Sequence, residues 1–129
     1  MANIKKTEEE WRLQLNEEQY RITRQAGTEP PFSGIYVDHH EKGTYRCICC
    51  QHPLFSSEAK FDSGCGWPSF SSELIANGII EEVDLAYGMR RVEVRCPECD
   101  AHLGHVFNDG PSPSGIRYCI NSASINFKA

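Results

Sequence analysis

The sequence has no apolar run of the roughly 20 residues that a membrane-spanning helix needs, so no membrane association is expected. No apolar stretch follows the charged start Met1-Ala2-Asn3-Ile4-Lys5-Lys6. A signal peptide is therefore not expected, and the cytoplasm is the default compartment. No cluster of Lys or Arg occurs. With 13 basic and 18 acidic residues the net charge is −5, which argues against nucleic acid as a partner, because holding phosphates takes a basic surface. Internal repeats and low-complexity tracts are also missing, as is any βαβ pattern around the cysteines.

The chain is rich in cysteine, with seven in 129 residues. A chain of this length buries about two-thirds of its unfolded surface on folding, so it does not need disulfides for stability. Cytosolic thiols stay reduced, and an odd number cannot all pair. Metal binding or redox chemistry is the better account. The length and the 40% apolar content fit one domain with one core, taken as residues 1–129.

Residues 7–26 read as two short helices. Thr7 followed by Glu10 fits a capping box, and Asn16 followed by Gln19 can cap the second helix. Trp11, Leu13 and Leu15 supply apolar contacts, and Gly27 is the expected stop. Thr28-Glu29-Pro30-Pro31-Phe32 then breaks helix and extends the chain. From about residue 34 to 127, turn residues recur between β-branched and aromatic ones. Ile35–Val37, Gly43–Arg46, Ile79–Val83 and Met89–Arg95 read as strands, and residues 102–107 and 116–127 look extended. Many short strands with turn signals predict a compact, mainly antiparallel β domain.

Two Cys-x-x-Cys pairs, Cys47/Cys50 and Cys96/Cys99, can each turn two sulfurs toward one ion. Together they make a tetrahedral thiolate site that suits one structural zinc. Pro97 favours the tight turn of the second pair. Ordinary reduced thiols are the bland alternative, and a thioredoxin-like redox motif would need the missing βαβ context. The long gap between the pairs predicts a metal that clips two distant hairpins together. Cys49 sits inside the first pair and can compete with its neighbours.

Three cysteines remain: Cys49, Cys65 and Cys119. Cys65 lies between Gly64 and Gly66, which suits either a thiol that must move or a small residue in a tight turn. If Arg117–Asn121 is a strand, Arg117, Cys119 and Asn121 share a face. A guanidinium there would lower the thiol pKa, and Asn121 could donate a hydrogen bond to thiolate or substrate. Inert burial is the competing reading of Cys119. His102 and His105 would face opposite sides of a regular strand, but a bulge at Gly104 would bring them to one side. They then supply protons, or stand half-buried beside the zinc site. Trp67 is by default a core aromatic.

Five stretches, taken jointly, resemble the methionine sulfoxide reductase B family, which acts on the R epimer. They are Gly27–Phe32, Pro53–Phe55, Asp62–Phe70, Cys96–Phe107 and Arg117–Ser124, and the likeness runs over roughly residues 28–127. The resemblance implies two antiparallel sheets, Cys119 as nucleophile and Cys65 as resolving cysteine. It further implies His102, His105 and Asn121 as polar groups around the sulfoxide, with His105 the proton donor, and Arg117 beside the catalytic thiol. Trp67 would wall the substrate methyl, and Cys47, Cys50, Cys96 and Cys99 would hold zinc. Asn108 departs from the family pattern where proline is expected, and Cys49 is a thiol the zinc site does not need.

The implied chemistry is thiolate attack at the sulfoxide sulfur, protonation of its oxygen, a sulfenic acid on Cys119, and a Cys65–Cys119 disulfide. Thioredoxin would restore the thiols. The implied substrate is methionine sulfoxide in proteins or peptides, and the working form is expected to be a monomer. The competing class is a zinc-ribbon binding module without catalysis, which leaves Cys65, Cys119 and the histidines without a task.

Overall fold

The computed structural model describes residues 4, 6–75, 78–85, 88–111 and 114–129; most of the charged start, residues 1–3 and 5, lies outside them. Two short helices come first, α1 (Glu8–Gln14) and α2 (Glu17–Arg24). Both expected capping boxes are present, Thr7 with Glu10 and Asn16 with Gln19. Each satisfies two N–H groups that a helix start leaves free, an effect of about 1 kcal/mol per cap. Trp11 and Leu15, four apart, face inward, whereas Leu13 is 84% exposed on the opposite side. The left-handed residue after α2 is Ala26 (φ 53) rather than Gly27, whose N–H reaches back to the Arg21 carbonyl at 3.0 Å.

The rest is β structure in two antiparallel sheets. The small sheet has the order β2 (Pro53–Ser56), β1 (Thr44–Cys47), β9 (Ile125–Lys128). The large sheet runs β3 (Lys60–Phe61), β4 (Ser69–Phe70), β8 (Arg117–Ile120), β7 (His102–Phe107), β6 (Arg91–Arg95), β5 (Ile80–Asp84). The expected strands are found within one or two residues, with two exceptions. Ile35–Val37 is a turn: Ile35 is 78% exposed, and the Tyr36 N–H goes to the Ser122 hydroxyl instead of a neighbouring strand. The extended run 116–127 is broken by a 3-10 turn at Ser122–Ser124, which lets the chain leave the large sheet and join the small one.

The sheets meet over an aromatic core. Phe55 of β2 stacks on Phe70 of β4 at 4.4 Å, and Tyr45 of β1 meets the same ring edge-on at 5.1 Å. Tyr118 of β8 tilts against Phe55 at 5.4 Å. All four rings are buried; each contributes roughly 1.5–3 kcal/mol by leaving water, with aromatic pairing adding about 1 kcal/mol. This core holds the inner face of the large sheet, so its outer face is free to carry chemistry. No helix among the described residues is long and apolar enough to cross a membrane.

Candidate active site and metal centre

The register of the large sheet lines up the candidate groups. Cross-strand partners in an antiparallel sheet share a face. Ser69 of β4 pairs with Cys119 of β8, which pairs with His105 of β7, which pairs with Glu93 of β6. One pleat away, Arg117 pairs with Phe107, and Arg91 pairs with Asp84. A cleft of about 180 Å³ opens on this face, lined by Cys119, Cys65, Trp67, His105, Arg117 and Asn121, with Phe107 and Arg91 in its wall. Trp67 is thus a cleft residue rather than a core one.

Strand β7 carries the bulge expected near Gly104: Val94 faces Gly104, but Arg95, the next residue, faces His102. The extra residue brings the His102 and His105 rings edge to face, 5.5 Å between centroids. Gly104 has a second duty. A Cβ there would overlap the carbonyl oxygen of Cys119, so only glycine lets β7 lie this close to the candidate nucleophile. Each histidine is held by a carboxylate. His102 Nδ1 donates to Glu93 Oε2 at 2.6 Å, and His105 Nε2 donates to Asp84 Oδ2 at 3.0 Å. The His102 contact holds the Glu93 carboxyl below its ordinary value. Burial pushes the His105 pKa down, and the Asp84 hydrogen bond only partly offsets it. His102 borders a neighbouring depression with Asp84 and Glu93, and reaches the cleft only through His105.

Cys119 and Cys65 have their sulfurs 3.8 Å apart. Gly64 (φ 77) and Gly66 (φ 98) give the Cys65 loop the left-handed backbone it needs to present its sulfur there. Cys65 also meets the Ser63 hydroxyl at 3.0 Å and the Ser69 hydroxyl at 3.5 Å. Burial opposes its ionisation, but the two hydroxyls, the Trp67 backbone and the Cys119 thiol bring its pKa down to about 7. Cys119 differs from the sequence-based expectation of a low-pKa thiol. Burial and the neighbouring Cys65 push it up to about 12, and Arg117 lowers it too little to compensate. The reason is geometric: the Arg117 guanidinium is spent on Asp109, at 2.8 and 3.2 Å, while lying 4.5 Å over the Phe107 ring.

Asn121 is buried, its amide nitrogen donating to the Leu103 carbonyl at 3.1 Å and its oxygen accepting the Glu29 N–H at 3.0 Å. Glu29 was not singled out by sequence reasoning. It is 3% exposed, the only buried acidic residue among the described ones. Its carboxylate accepts the N–H groups of Ser122 and Ala123, at 2.9 and 3.0 Å, and its carbonyl accepts the Trp67 indole N–H at 2.9 Å. One residue thus ties Trp67 to the turn that follows β8. Asp84, Glu93, Ser63 and Ser69 were missed as well. Ser63 and Ser69 stand two before and four after Cys65, a spacing visible in the chain, whereas the carboxylates depend on strand register.

The four cysteines of the two pairs come together, with all their sulfurs within 4.8 Å of one another. Cys47 lies 3.6 Å from Cys99, and Cys50 lies 3.6 Å from Cys96. A tetrahedron of sulfurs about 2.3 Å from zinc has edges of roughly 3.8 Å, so the donor set and its spacing fit that ion. The two turns repeat one design. Cys47 N–H donates to the His52 carbonyl and Cys96 N–H to the Ala101 carbonyl, and the left-handed residue is Gln51 in one (φ 65) and Asp100 in the other (φ 63). One turn joins β1 to β2 in the small sheet and the other joins β6 to β7 in the large one, so the cluster bridges the sheets. The helices strap both turns. Gln14 donates to the Cys49 carbonyl at 2.7 Å, and Arg24, lying over Trp11, donates to the Cys99 carbonyl at 2.9 Å. Cys49 is buried among these groups.

The SelR domain family matches residues 15–129. Similar curated proteins are named peptide methionine sulfoxide reductase MsrB. One from Herminiimonas arsenicoxydans is 63% identical over 124 residues, covering 96% of this chain and 90% of that protein. One from Hahella chejuensis is 58% identical, covering 98% and 91%, and one from Pseudomonas putida is 57% identical, covering 99% and 96%. Matched by the family over residues 15–129 and by relatives along nearly their whole length, this chain belongs to the methionine sulfoxide reductase B family.

Proposed function

We propose that this protein, working as a single monomeric domain in the cytoplasm, reduces the R epimer of methionine sulfoxide in proteins to methionine. The observation that carries the reading is the pair of sulfurs 3.8 Å apart in a cleft that also holds Trp67 and His105. A zinc-ribbon binding module would have no use for that pair. The test is incubation with each methionine sulfoxide epimer and dithiothreitol. Methionine should form from the R epimer and scarcely from the S epimer, because a cleft lined by Trp67, Cys119 and His105 is chiral. Equal rates on both epimers would sink the proposal.

The residues divide the work as follows. Trp67, fixed through its indole N–H, packs the sulfoxide methyl. The Cys119 proton passes to His105, its cross-strand partner, and from there to the sulfoxide oxygen as the thiolate attacks sulfur. A depressed histidine pKa suits this relay, since the ring gives up the proton readily. The products are methionine and a Cys119 sulfenic acid, with no outside proton consumed. Arg117 stabilises the thiolate while it is exposed to substrate, His102 and Glu93 keep His105 in place, and Asn121 fixes the strand end. Cys65 then displaces the sulfenic oxygen as water, leaving a disulfide that thioredoxin reduces by exchange. Cys47, Cys50, Cys96 and Cys99 would hold one zinc, whose chemistry is structural: it keeps four crowded thiolates ionised and pins the two sheets.

His105→Asn should slow methionine formation about 100-fold while leaving the melting temperature nearly unchanged, because it removes the proton carrier but not a core contact. The check is stopped-flow methionine release beside a thermal melt. A near-normal rate between about pH 6 and 8 would assign the proton to His102 or water instead.

A further inference from the structure

The Ser63 and Ser69 hydroxyls have no task in sulfoxide reduction, yet both touch the sulfur of Cys65. Ser63 Oγ lies 3.0 Å from it and Ser69 Oγ 3.5 Å, and the two hydroxyls are 2.7 Å from each other. Ser69 is buried and placed by the sheet directly across from Cys119, so its position is as fixed as that of the nucleophile. Ser63 is at the exposed end of the chain of hydroxyls. We propose that Ser63 and Ser69 are catalytic residues of the recycling half of the reaction, donating to the Cys65 sulfur so that it stands as a thiolate against Cys119.

Hydrogen-bond accounting supports this. Ser63 Oγ lies nearest the sulfur, and Ser69 Oγ, 2.7 Å from Ser63 Oγ, either donates to Ser63 and strengthens its bond to the sulfur or donates to the sulfur itself. A thiolate accepts such bonds more strongly than a thiol does. The Trp67 carbonyl, 3.3 Å from Ser69 Oγ and 3.5 Å from the Cys65 sulfur, is a competing acceptor. The titratable and charged groups facing Cys65, among the described residues, are Cys119 and Arg117 of β8, with His105 of β7 and Arg91 of β6 across the cleft. Asp62, on its own loop, lies 3.9 Å from His40. The pKa of about 7 for Cys65 agrees with that environment. The step balances as follows. The Cys65 electron pair forms the S–S bond, the S–O bond of the Cys119 sulfenic acid breaks, and the oxygen leaves as water. That takes up one proton, equal to the one Cys65 released through the hydroxyls on ionising. Cys65 is oxidised and the sulfenic sulfur is reduced.

The inference rests on the reading of Cys119 as nucleophile and Cys65 as resolving thiol. Its test is rapid-quench kinetics of reduced protein with the R sulfoxide, following methionine and Cys65–Cys119 disulfide separately across pH. In Ser63→Ala/Ser69→Ala the ratio of disulfide rate to methionine rate at pH 7 should fall about tenfold. The acid limb of the disulfide step should move up by about one pH unit, because the thiolate fraction falls. Ser63→Thr, which keeps the hydroxyl, should retain the wild-type profile. An unmoved pH profile overturns the proposal even if the step slows, since a purely structural role for Ser63 in the turn would do that. An undiminished ratio overturns it as well. Methionine formation in the wild type without any Cys65–Cys119 disulfide is a separate outcome, and it contradicts the underlying assignment together with the inference.

Discussion

Cys119→Ser is expected to abolish sulfoxide reduction, with a fall on the order of 10⁴-fold or more, the scale seen when a nucleophile is removed. The large sheet gives the reason. Cys119 is the one thiol that shares a face and a register row with His105, and it sits beside Trp67 in the cleft. Cys65 has the lower pKa of the two, so reactivity toward a small alkylating agent should be higher at Cys65 in the free enzyme. That distinction separates nucleophilicity at rest from catalytic role. A Cys119→Ser protein that still turned over in the dithiothreitol assay would transfer the role to Cys65.

Cys96→Ser should lose the metal and lower the melting temperature by about 10 °C or more. Removing one of the four cysteines would break up a site that could hold an ion between β1–β2 and β6–β7, and loss of a structural metal is among the largest single-site effects on stability. The effect should reach the active site, because β6 and β7 carry Glu93, His102 and His105. Metal analysis and a thermal melt of freshly purified protein provide the check. One zinc per chain in the wild type and none in the variant is expected. An unchanged melting temperature would mean that the aromatic core between the sheets suffices alone.

Local signals in the sequence carried over well. The two capping boxes are complete within four residues each, so Thr7–Glu10 and Asn16–Gln19 were legible without any tertiary contact. The cysteine pairs were legible for the same reason. A bulge at Gly104 was one of two options in the sequence, the other being a regular strand with His102 and His105 on opposite sides, and the register shift between β6 and β7 decides for the bulge. Features that depend on register or depth were not legible. Strands β3 and β4 have two residues each, too few for a periodic pattern, yet β4 is what sets Ser69 against Cys119. Ile35–Val37 has strand-forming residues but no partner to pair with. The Cys119 pKa was misjudged because its same-face Arg117 was visible, while Asp109 as competitor was not, and Cys65, implied as a neighbour by the family resemblance, was not weighed for its effect on the thiol. Glu29 looked like a polar residue before two prolines. Its importance lies in contacts about 90 positions away, with Asn121, Ser122 and Ala123.

The most direct measurement is a single turnover without reductant, with the wild type beside Cys65→Ser. Reduced wild-type protein given excess R sulfoxide should form one methionine per molecule and lose two free thiols, with Cys65 and Cys119 joined. The Cys65→Ser protein should also form one methionine, but lose one thiol and carry a trappable sulfenic acid on Cys119. It should then fail to turn over with thioredoxin, which attacks a disulfide, while dithiothreitol still recycles it. No methionine from the Cys65→Ser protein would place Cys65 in the chemical step itself and contradict the division of labour between the two sulfurs. Full thioredoxin-coupled turnover by that protein would remove Cys65 from the mechanism altogether.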